Sequence, residues 1–477
     1  MNNITQWVRG NLLVVICAAV MVLSVAGLFW PIGPQIAQFR DQLREADGDL
    51  RAIRANMNRR EDIPSDDSDQ PMREISLTVN QAAVEELNGI YKRMKRSYEQ
   101  IVADAVAFNR RGHSLLLSGL FPQSPPWITP DPIAYQASSA YRGAFVDLYE
   151  RLNAGTPPPQ EAIDARLQQV DDRYRAETVG DAAEETPELT RRKAQSKIKL
   201  FMEHAQTLSV YATPPGVGPE GVFVGGVFQI TELANRTDKP PMAELWYSQV
   251  QLWIQEDIVE AIVMTNQDPT TGQARPAPDA PIKRLLSIGA DEGYLKPRDL
   301  EAASTTGRRS GQPPRDMSLD QLLTPDFNVS ETGRTSNPLY DVWLAEVRLV
   351  IESRAIPRLL NKLGESNLIT PIYRDVRPLS PPLKEQFEEG YIYGDAVDLV
   401  ELRLGLETLW MRHWTAGSYS PEAAERAGER YRPGLMPDVV RVNLGLPPRA
   451  RDSKQSPDGS PDNAPGLPPG VPPGARR

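Results

Sequence analysis

Residues 340–379 read YDVWLAEVRLVIESRAIPRLLNKLGESNLITPIYRDVRPL, and this stretch decides the predicted fold. Its first part, Tyr340–Ser353, alternates apolar and polar side chains as a half-buried strand does. Ile356–Glu365 predicts a short helix whose Pro357 suits the first turn. Leu368–Leu379 predicts a second strand with a proline of the edge type. The stretch therefore predicts a strand, a helix and a strand.

The sequence on both sides extends this pattern. Ala243–Asn266 predicts a long helix with one apolar face, Pro281–Ala290 predicts a strand, and Tyr391–Thr408 predicts a long final strand. The resulting order is helix, strand, strand, helix, strand, strand. Two such halves can form one antiparallel sheet that both helices cover on one face. We therefore expect an α+β domain at 243–415, with an insertion at 297–337. The residues expected to be buried together are Leu349, Ile351, Leu359, Leu360, Leu363, Ile369 and Ile372.

Near the N-terminus, Leu12–Trp30 reads LLVVICAAVMVLSVAGLFW, nineteen residues without a charge. At about 1.5 Å per residue, such a helix spans about 28 Å, close to the thickness of a hydrocarbon core. We therefore expect a transmembrane helix at 12–30 after a cytoplasmic stub at 1–11, with the orientation indicated by Arg9. A cleaved signal peptide with Ser24-Val25-Ala26 as its cleavage site is the alternative.

Two heptad patterns follow, in a predicted coiled-coil region at 31–112. Apolar residues are spaced alternately three and four apart between Phe29 and Met57, and again between Val84 and Phe108. This is the spacing of the a and d positions of a coiled coil. Packing of each stripe on a core of the same chain is the alternative. The predicted partner interface comprises Ile36, Phe39, Leu43, Leu50, Ile53, Leu87, Tyr91, Met94, Tyr98 and Ile101.

The remaining segments carry weaker signals. Residues 113–242 mix helical and loop-like stretches and allow no fold assignment. Residues 416–446 predict a helical end. The Pro/Gly-rich tail at 447–477 is expected to be disordered from its composition.

Composition and motifs argue against several classes of function. The 477 residues carry a formal net charge of -10, which argues against nucleic-acid binding. The single cysteine, Cys17, and the three scattered histidines, His113, His204 and His413, form no metal-binding motif. The sequence contains no P-loop and no Gly-x-Ser-x-Gly motif. We therefore expect a protein that is not an enzyme and that uses neither cofactor nor metal.

The order of the segments resembles the inner-membrane assembly proteins of type IV pili and type II secretion systems, the PilO/PilN and GspM/GspL group. The segments that carry the resemblance are 12–30, 29–57, 84–108 and 243–408, and 345–379 is the most similar stretch. The resemblance implies a ferredoxin-like αββαββ domain and a non-enzymatic scaffold. It implies a single-pass protein of the bacterial inner membrane, held by membrane lipid at 12–30, with most of the chain in the periplasm. Its partners would be homologous or identical membrane-anchored subunits, in a homo- or heterodimer.

This chain is far longer than members of that group, because of the region 114–240, the insertion and the tail. A membrane-anchored sensor or ligand-binding ectodomain is the alternative function. It would need a signalling domain before the anchor, and the eleven residues before Leu12 are too few to hold one. An anchored hydrolase is a third hypothesis, and the missing catalytic motifs argue against it.

Overall fold

The computed structural model describes residues 7–29, 40–51, 60–63, 73–76, 81–177, 186–294, 325–395, 398–417, 432–444, 446 and 448–449. The chain divides into two compact units, residues 1–102 and 103–477.

The described residues of the first unit form helices and one short hairpin. The elements are α1 (Leu12–Phe29), which follows helical residues at 7–10, α2 (a helix at 40–51), β1 (Arg60–Ile63), β2 (Arg73–Ser76) and α3 (Gln81–Arg110), whose residues after 102 belong to the second unit. The two strands pair antiparallel, with Arg60 opposite Ser76. The α3 segment contains no proline, and Arg110 lies in its last turn, where a positive charge is favourable. Both features favour a long uninterrupted helix.

The expected transmembrane helix is a prediction that the structure corrects. Among the residues that the structure describes, no helix is both long enough and apolar enough to cross a membrane. The helix at this position, α1, ends at Phe29 after 18 residues. A helix that crosses a membrane must be both long and apolar, because the hydrocarbon core offers no water to its backbone or side-chain polar groups. The predicted anchor at 12–30 and the predicted inner-membrane localisation, with the bulk of the chain in the periplasm, are therefore wrong.

The second unit contains the sheet. Its described helices and strands, in chain order, are α4 (Asp131–Arg151), β3 (Ala154–Gly155), α5 (Gln160–Glu177), α6 (Pro187–Ala205), β4 (Val210–Tyr211), β5 (Gly216–Val217), β6 (Phe223–Val224), α7 (Met242–Asn266), β7 (Ile282–Tyr294), β8 (Tyr340–Glu352), α8 (Ile356–Ser366), β9 (Ile369–Pro378), α9 (Leu383–Glu388), β10 (Leu399–Met411), α10 (Arg412–Thr415) and α11 (Asp438–Asn443). Two short 3₁₀ helices lie at Glu232–Asn235 and Ser353–Ala355.

Six strands form one mixed sheet, in the order β3-β4-β7-β8-β10-β9. The four long strands pair antiparallel, and Leu349 of β8 lies opposite Leu285 of β7 and Leu402 of β10. The two-residue strands β3 and β4 join the β7 side in parallel orientation. Strand β9 forms the other end of the sheet and pairs with β10.

Both faces of the sheet pack against helices. On one face, Trp253 of α7, Leu359 of α8 and Leu349 of β8 belong to one large buried core. The next residue of β8, Val350, points to the opposite face, because side chains alternate along a strand. There it packs in a second core with Phe201 of α6, among others. Helices α5 and α6 therefore cover part of the face that α7 and α8 leave open.

The apolar set expected to be buried lies mainly in the first core. Leu349, Ile351, Leu359, Leu363 and Ile369 are buried, whereas Leu360 and Ile372 are half-buried. Periodicity located the inward-facing positions correctly on β8 and for Leu359 and Leu363 of α8, whereas Leu360 lies at the margin of the buried face of α8. It was less accurate for Ile372, because β9 lies at the edge of the sheet, where fewer neighbours cover a side chain.

The predicted fold class is also corrected. The two helices α7 and α8 and the four long strands follow the predicted order along the chain. The prediction was nevertheless wrong, because it placed a transmembrane helix before a four-stranded ferredoxin-like domain. The structure is α+β with a mixed six-stranded sheet. The two additional strands have two residues each, which is too short for any alternation to be visible in the sequence.

Gly405 of β10 makes room for an aromatic ring on the neighbouring strand. It lies opposite Tyr373 of β9, next to an irregularity in the pairing. A Cβ atom at position 405 would lie 1.9 Å from Cε1 of Tyr373. The Tyr373 ring therefore covers the glycine. Its hydroxyl donates a hydrogen bond to Oε2 of Glu346 at 2.8 Å.

We expect the free energy of unfolding of the Gly405→Ala variant to be lower by about 1–3 kcal/mol. The added methyl group would force the Tyr373 ring of β9 away from its contact with residue 405 of β10. The measurement is urea unfolding followed by circular dichroism. In a Tyr373→Ala background the same glycine substitution should cost much less, because the ring is absent. Equal costs in the two backgrounds would contradict this explanation.

Candidate functional site

Helix α3 carries an apolar stripe on its described surface. Its members recur at alternating spacings of three and four residues, and their side chains are 46–67% exposed; they are Val84, Leu87, Tyr91, Met94, Tyr98 and Ile101. We call these six residues the α3 stripe. No other described part of the chain covers these six side chains. Isolated apolar side chains are common on protein surfaces, whereas a continuous row of this length is typical of interaction sites.

The polar sides of α3 are those of a solvated helix. Lys95 lies 3.9 Å from Glu99 one turn further along, and both side chains are more than half exposed. Such an exposed pair contributes little to stability. The apolar and polar residues are therefore separated onto different sides of α3, as in a helix that pairs with another helix.

The predicted interface residues of the first heptad pattern are only partly described. Leu43 and Leu50 lie seven residues apart on α2, and both are exposed. Ile36, Phe39 and Ile53 lie outside the described residues. The described members of both patterns are therefore accessible to a partner. Their role as a partner interface stays a prediction.

A buried polar cluster, which the sequence analysis did not identify, begins in the last turn of α3. The Asn109 side chain is fully buried. Its amide nitrogen donates to the Leu409 carbonyl and to Oδ1 of Asn367, both at 2.8 Å. Its amide oxygen accepts from the Met411 backbone N–H and from Nε1 of Trp414, both at 2.8 Å. Asn109 thus uses all four of its hydrogen-bonding positions and connects the end of α3 to β10.

His113 continues this cluster three residues after α3. Its side chain is 2% exposed, and its Nε2 lies 3.3 Å from Oδ2 of Asp257. Its Nδ1 lies 3.5 Å from Oε2 of Glu256. Asn367 also donates to Asp257, at 2.7 Å. The imidazole is therefore placed between two carboxylates of α7.

These two carboxylates determine the charge of His113. Burial acts most strongly and lowers the pKa of His113, but hydrogen bonds to Asp257 and Glu256 and their negative charges outweigh it. The net result is that the pKa of His113 is raised to about 9. Burial raises the pKa of Asp257, and the hydrogen bond from His113 opposes that rise. The imidazole is thus protonated at neutral pH and forms an ion pair with Asp257.

Three tryptophans surround the His113 ring. The ring centroids of Trp410, Trp253 and Trp414 lie 5.2, 5.6 and 6.3 Å from that of His113. Aromatic faces stabilise a desolvated cation, which offsets part of the cost of burying the imidazolium. This enclosure leaves no space beside His113 for a substrate. The cluster holds the start of the second unit against α7 and β10.

The open part of the sheet face carries paired charges. A depression of about 300 Å³ is lined by Glu346, Arg348, Asp375, Arg377, Glu401 and Arg403. Arg348 lies 2.6 Å from Glu401, Arg403 lies 2.5 Å from Glu346, and Arg377 lies 2.7 Å from Asp375. The hydrogen bond from Arg403 lowers the pKa of Glu346. Each charge has a partner of opposite sign, so the depression has no excess charge to attract an ion.

In the part of the chain that the structure describes, no group of three or more His, Cys, Asp or Glu side chains could hold a metal ion. Cys17 is exposed and not in a disulfide.

Comparison with known proteins does not assign the chain to a family. No protein-family model and no curated protein matches the chain. A crystal structure from Akkermansia muciniphila is similar over 59% of this chain and 96% of its own, at 8% identity and a TM-score of 0.18. That score is too low to support an argument about fold or function. The resemblance to the pilus and secretion group therefore stays a prediction.

Proposed function

We propose that this protein is a non-catalytic scaffold subunit that associates with a second copy of itself through the α3 stripe. The observation that carries the proposal is the exposure of six apolar residues at heptad spacing on one helix. Fully burying one large apolar side chain contributes about 1.5–3 kcal/mol. Pairing of two such stripes would bury twelve apolar side chains at least in part, and this burial would stabilise the pair.

The residues beside the stripe are compatible with a second copy. In a parallel pair of helices, the residues at e and g positions of the two chains face each other. With Val84 at position a, Ile90 is at position g and would face Lys95 at position e of the second copy, and Ser97 would face Val102. None of these pairs brings like charges together. Self-pairing of α3 is therefore free of repulsion at its flanks.

Other features of the described residues support a role without catalysis. The most strongly perturbed histidine, His113, is enclosed by tryptophan rings and engaged by two carboxylates. A general acid or base must reach its substrate within hydrogen-bonding distance, and His113 has no free approach. The charged depression on the sheet consists of ion pairs that are already satisfied. The α3 stripe, in contrast, has no apolar partner among the described residues.

Oxidation of methionine by peroxide tests this proposal directly. Met94 belongs to the stripe and is 60% exposed, whereas Met202 of α6 is 51% exposed and lies outside it. We expect Met94 to be oxidised more slowly than Met202 as the protein concentration rises, because pairing buries the stripe. The two rates are measured by peptide mass spectrometry. If Met94 and Met202 are oxidised at similar rates at every concentration, the stripe is not paired and the proposal fails.

A further inference from the structure

Strand β9 leaves one edge of the sheet unpaired in the described part of the chain. It is the last strand in the order, and its pairing with β10 runs from Ile369 opposite Thr408 to Pro378 opposite Val400. Its other side presents backbone N–H and C=O groups that no described strand engages. An edge of this kind is a template for adding another strand.

The residues of β9 differ on its two faces. Tyr373, Asp375 and Arg377 alternate along the strand, and Asp375 and Arg377 line the charged depression. Val376, between these two, is 43% exposed. The six residues between Pro371 and Pro378 all carry a backbone N–H, and in an antiparallel strand every second one of these groups points to the free edge. This stretch is therefore the available part of the edge.

Symmetry limits how β9 can pair with β9 of a second copy. Two antiparallel neighbours of the same sequence are related by a twofold axis perpendicular to the sheet, which keeps each face of the sheet on the same side. Opposite residues must have side chains on the same face, so both residue numbers are odd or both are even. One central residue therefore lies directly opposite the same residue of the second copy. The choice of that central residue decides which side chains meet.

Charge distinguishes the allowed registers. Centres at Ile372 or Tyr373 leave Asp375 opposite an uncharged residue, and a centre at Arg377 places two arginines opposite each other. A centre at Arg374 places two arginines opposite each other, and a centre at Asp375 does the same with two aspartates. Like charges directly opposite each other destabilise a strand pair. A centre at Val376 instead pairs two valines and places Asp375 opposite Arg377 twice, once on each side of the axis. This register has complementary charges and a β-branched pair at its centre.

We propose that β9 pairs antiparallel with β9 of a second copy of this chain, centred on Val376. The two six-stranded sheets then form one continuous sheet, and the charged depressions of the two copies become neighbours on one face. The observation that carries this inference is independent of the α3 stripe. If both surfaces engage, and engage different copies, each chain has two neighbours and the copies form an open array instead of a closed dimer.

Disulfide cross-linking tests the register. Cys17, the single cysteine, is first replaced by serine, and cysteine is then introduced as Val376→Cys or, as the matched control, Arg374→Cys. In the proposed register the two copies of residue 376 face each other, within the about 7 Å that a disulfide allows between Cα atoms. The two copies of residue 374 lie four residues apart along the strands, about 14 Å. We expect a covalent dimer from Val376→Cys and none from Arg374→Cys.

The cross-linking is repeated in the Leu87→Asp/Ile101→Asp background, which removes pairing through α3. A dimer that still forms there shows that β9 acts alone, whatever the outcome for the α3 stripe. Asp375→Lys should weaken this association at least tenfold in sedimentation equilibrium, because it places lysine opposite Arg377. The double variant Asp375→Lys/Arg377→Asp should restore it. Absence of a Val376→Cys dimer, equal cross-linking at position 374, or no effect of the charge reversal would each overturn the inference.

Discussion

Replacing Leu87 and Ile101 by aspartate is expected to abolish self-association through α3. Both side chains lie on the exposed stripe, at 47% and 67% exposure, and pairing would bury them against apolar side chains of the partner. An aspartate there leaves a carboxylate unpaired in an apolar seam, at a cost of several kcal/mol. The dissociation constant should therefore rise by at least about a hundredfold. Sedimentation equilibrium of the full chain measures it, with Asp375→Lys present in all proteins compared so that association through β9 does not contribute.

The matched control places the same two charges on the far side of α3. Gly89 and Ala103 lie at f positions of the heptad, and an added Cβ at Gly89 has no contact closer than 3.7 Å. The Gly89→Asp/Ala103→Asp variant should associate like the wild type. If instead the stripe variant associates normally but melts at a lower temperature, the stripe packs inside its own chain and the scaffold proposal fails.

Replacing His113 by alanine is expected to destabilise the second unit by about 3–5 kcal/mol, because Asp257 then remains as a buried charge without its partner. A cavity between Trp253, Trp410 and Trp414 would add to the cost. For a domain of this size the melting temperature should fall by about 10 °C. His413→Ala is the control, since His413 is exposed and should change stability by less than about 0.5 kcal/mol. Equal melting temperatures for the two variants would contradict the role given to the cluster.

The same ion pair predicts a dependence of stability on pH. The pKa of His113 is raised to about 9 in the folded protein, above the ordinary value of 6.5 that it has when unfolded. Its contribution is therefore fully present below pH 6.5 and is lost as the pH rises towards 9. We expect the wild type to lose stability over this interval and the His113→Ala variant to lose less. Parallel curves for the two proteins would show that the imidazolium is not involved.

Local periodicity was sufficient for the long elements. The alternation in 340–353 and the apolar face of 243–266 predicted β8 and α7 with errors of one residue at their ends. The heptad spacing of 84–108 likewise lies within one helix, α3. Such patterns are readable because each is repeated many times along a contiguous segment. The final strand was predicted less well, and it begins at Leu399 instead of Tyr391.

Of the two features described for the candidate site, the sequence predicted the α3 stripe but not the His113 cluster. The α3 stripe is a periodic pattern within one helix, so the sequence alone determined which residues could pair with a partner. The His113 cluster joins Asn109 to Asn367, 258 residues away, and to tryptophans at 253, 410 and 414. No local pattern links positions so far apart, because only the packing of α7 and β10 brings them together.

The sequence by itself determined the order of the long helices and strands and the apolar stripe of α3, because hydrophobic periodicity follows from the geometry of each element. The tertiary structure decided which strands join the sheet, that β9 lies at its edge, and that His113 is buried and charged. These properties depend on which distant segments become neighbours, and a two-residue strand or a single histidine carries no periodic signal of its own.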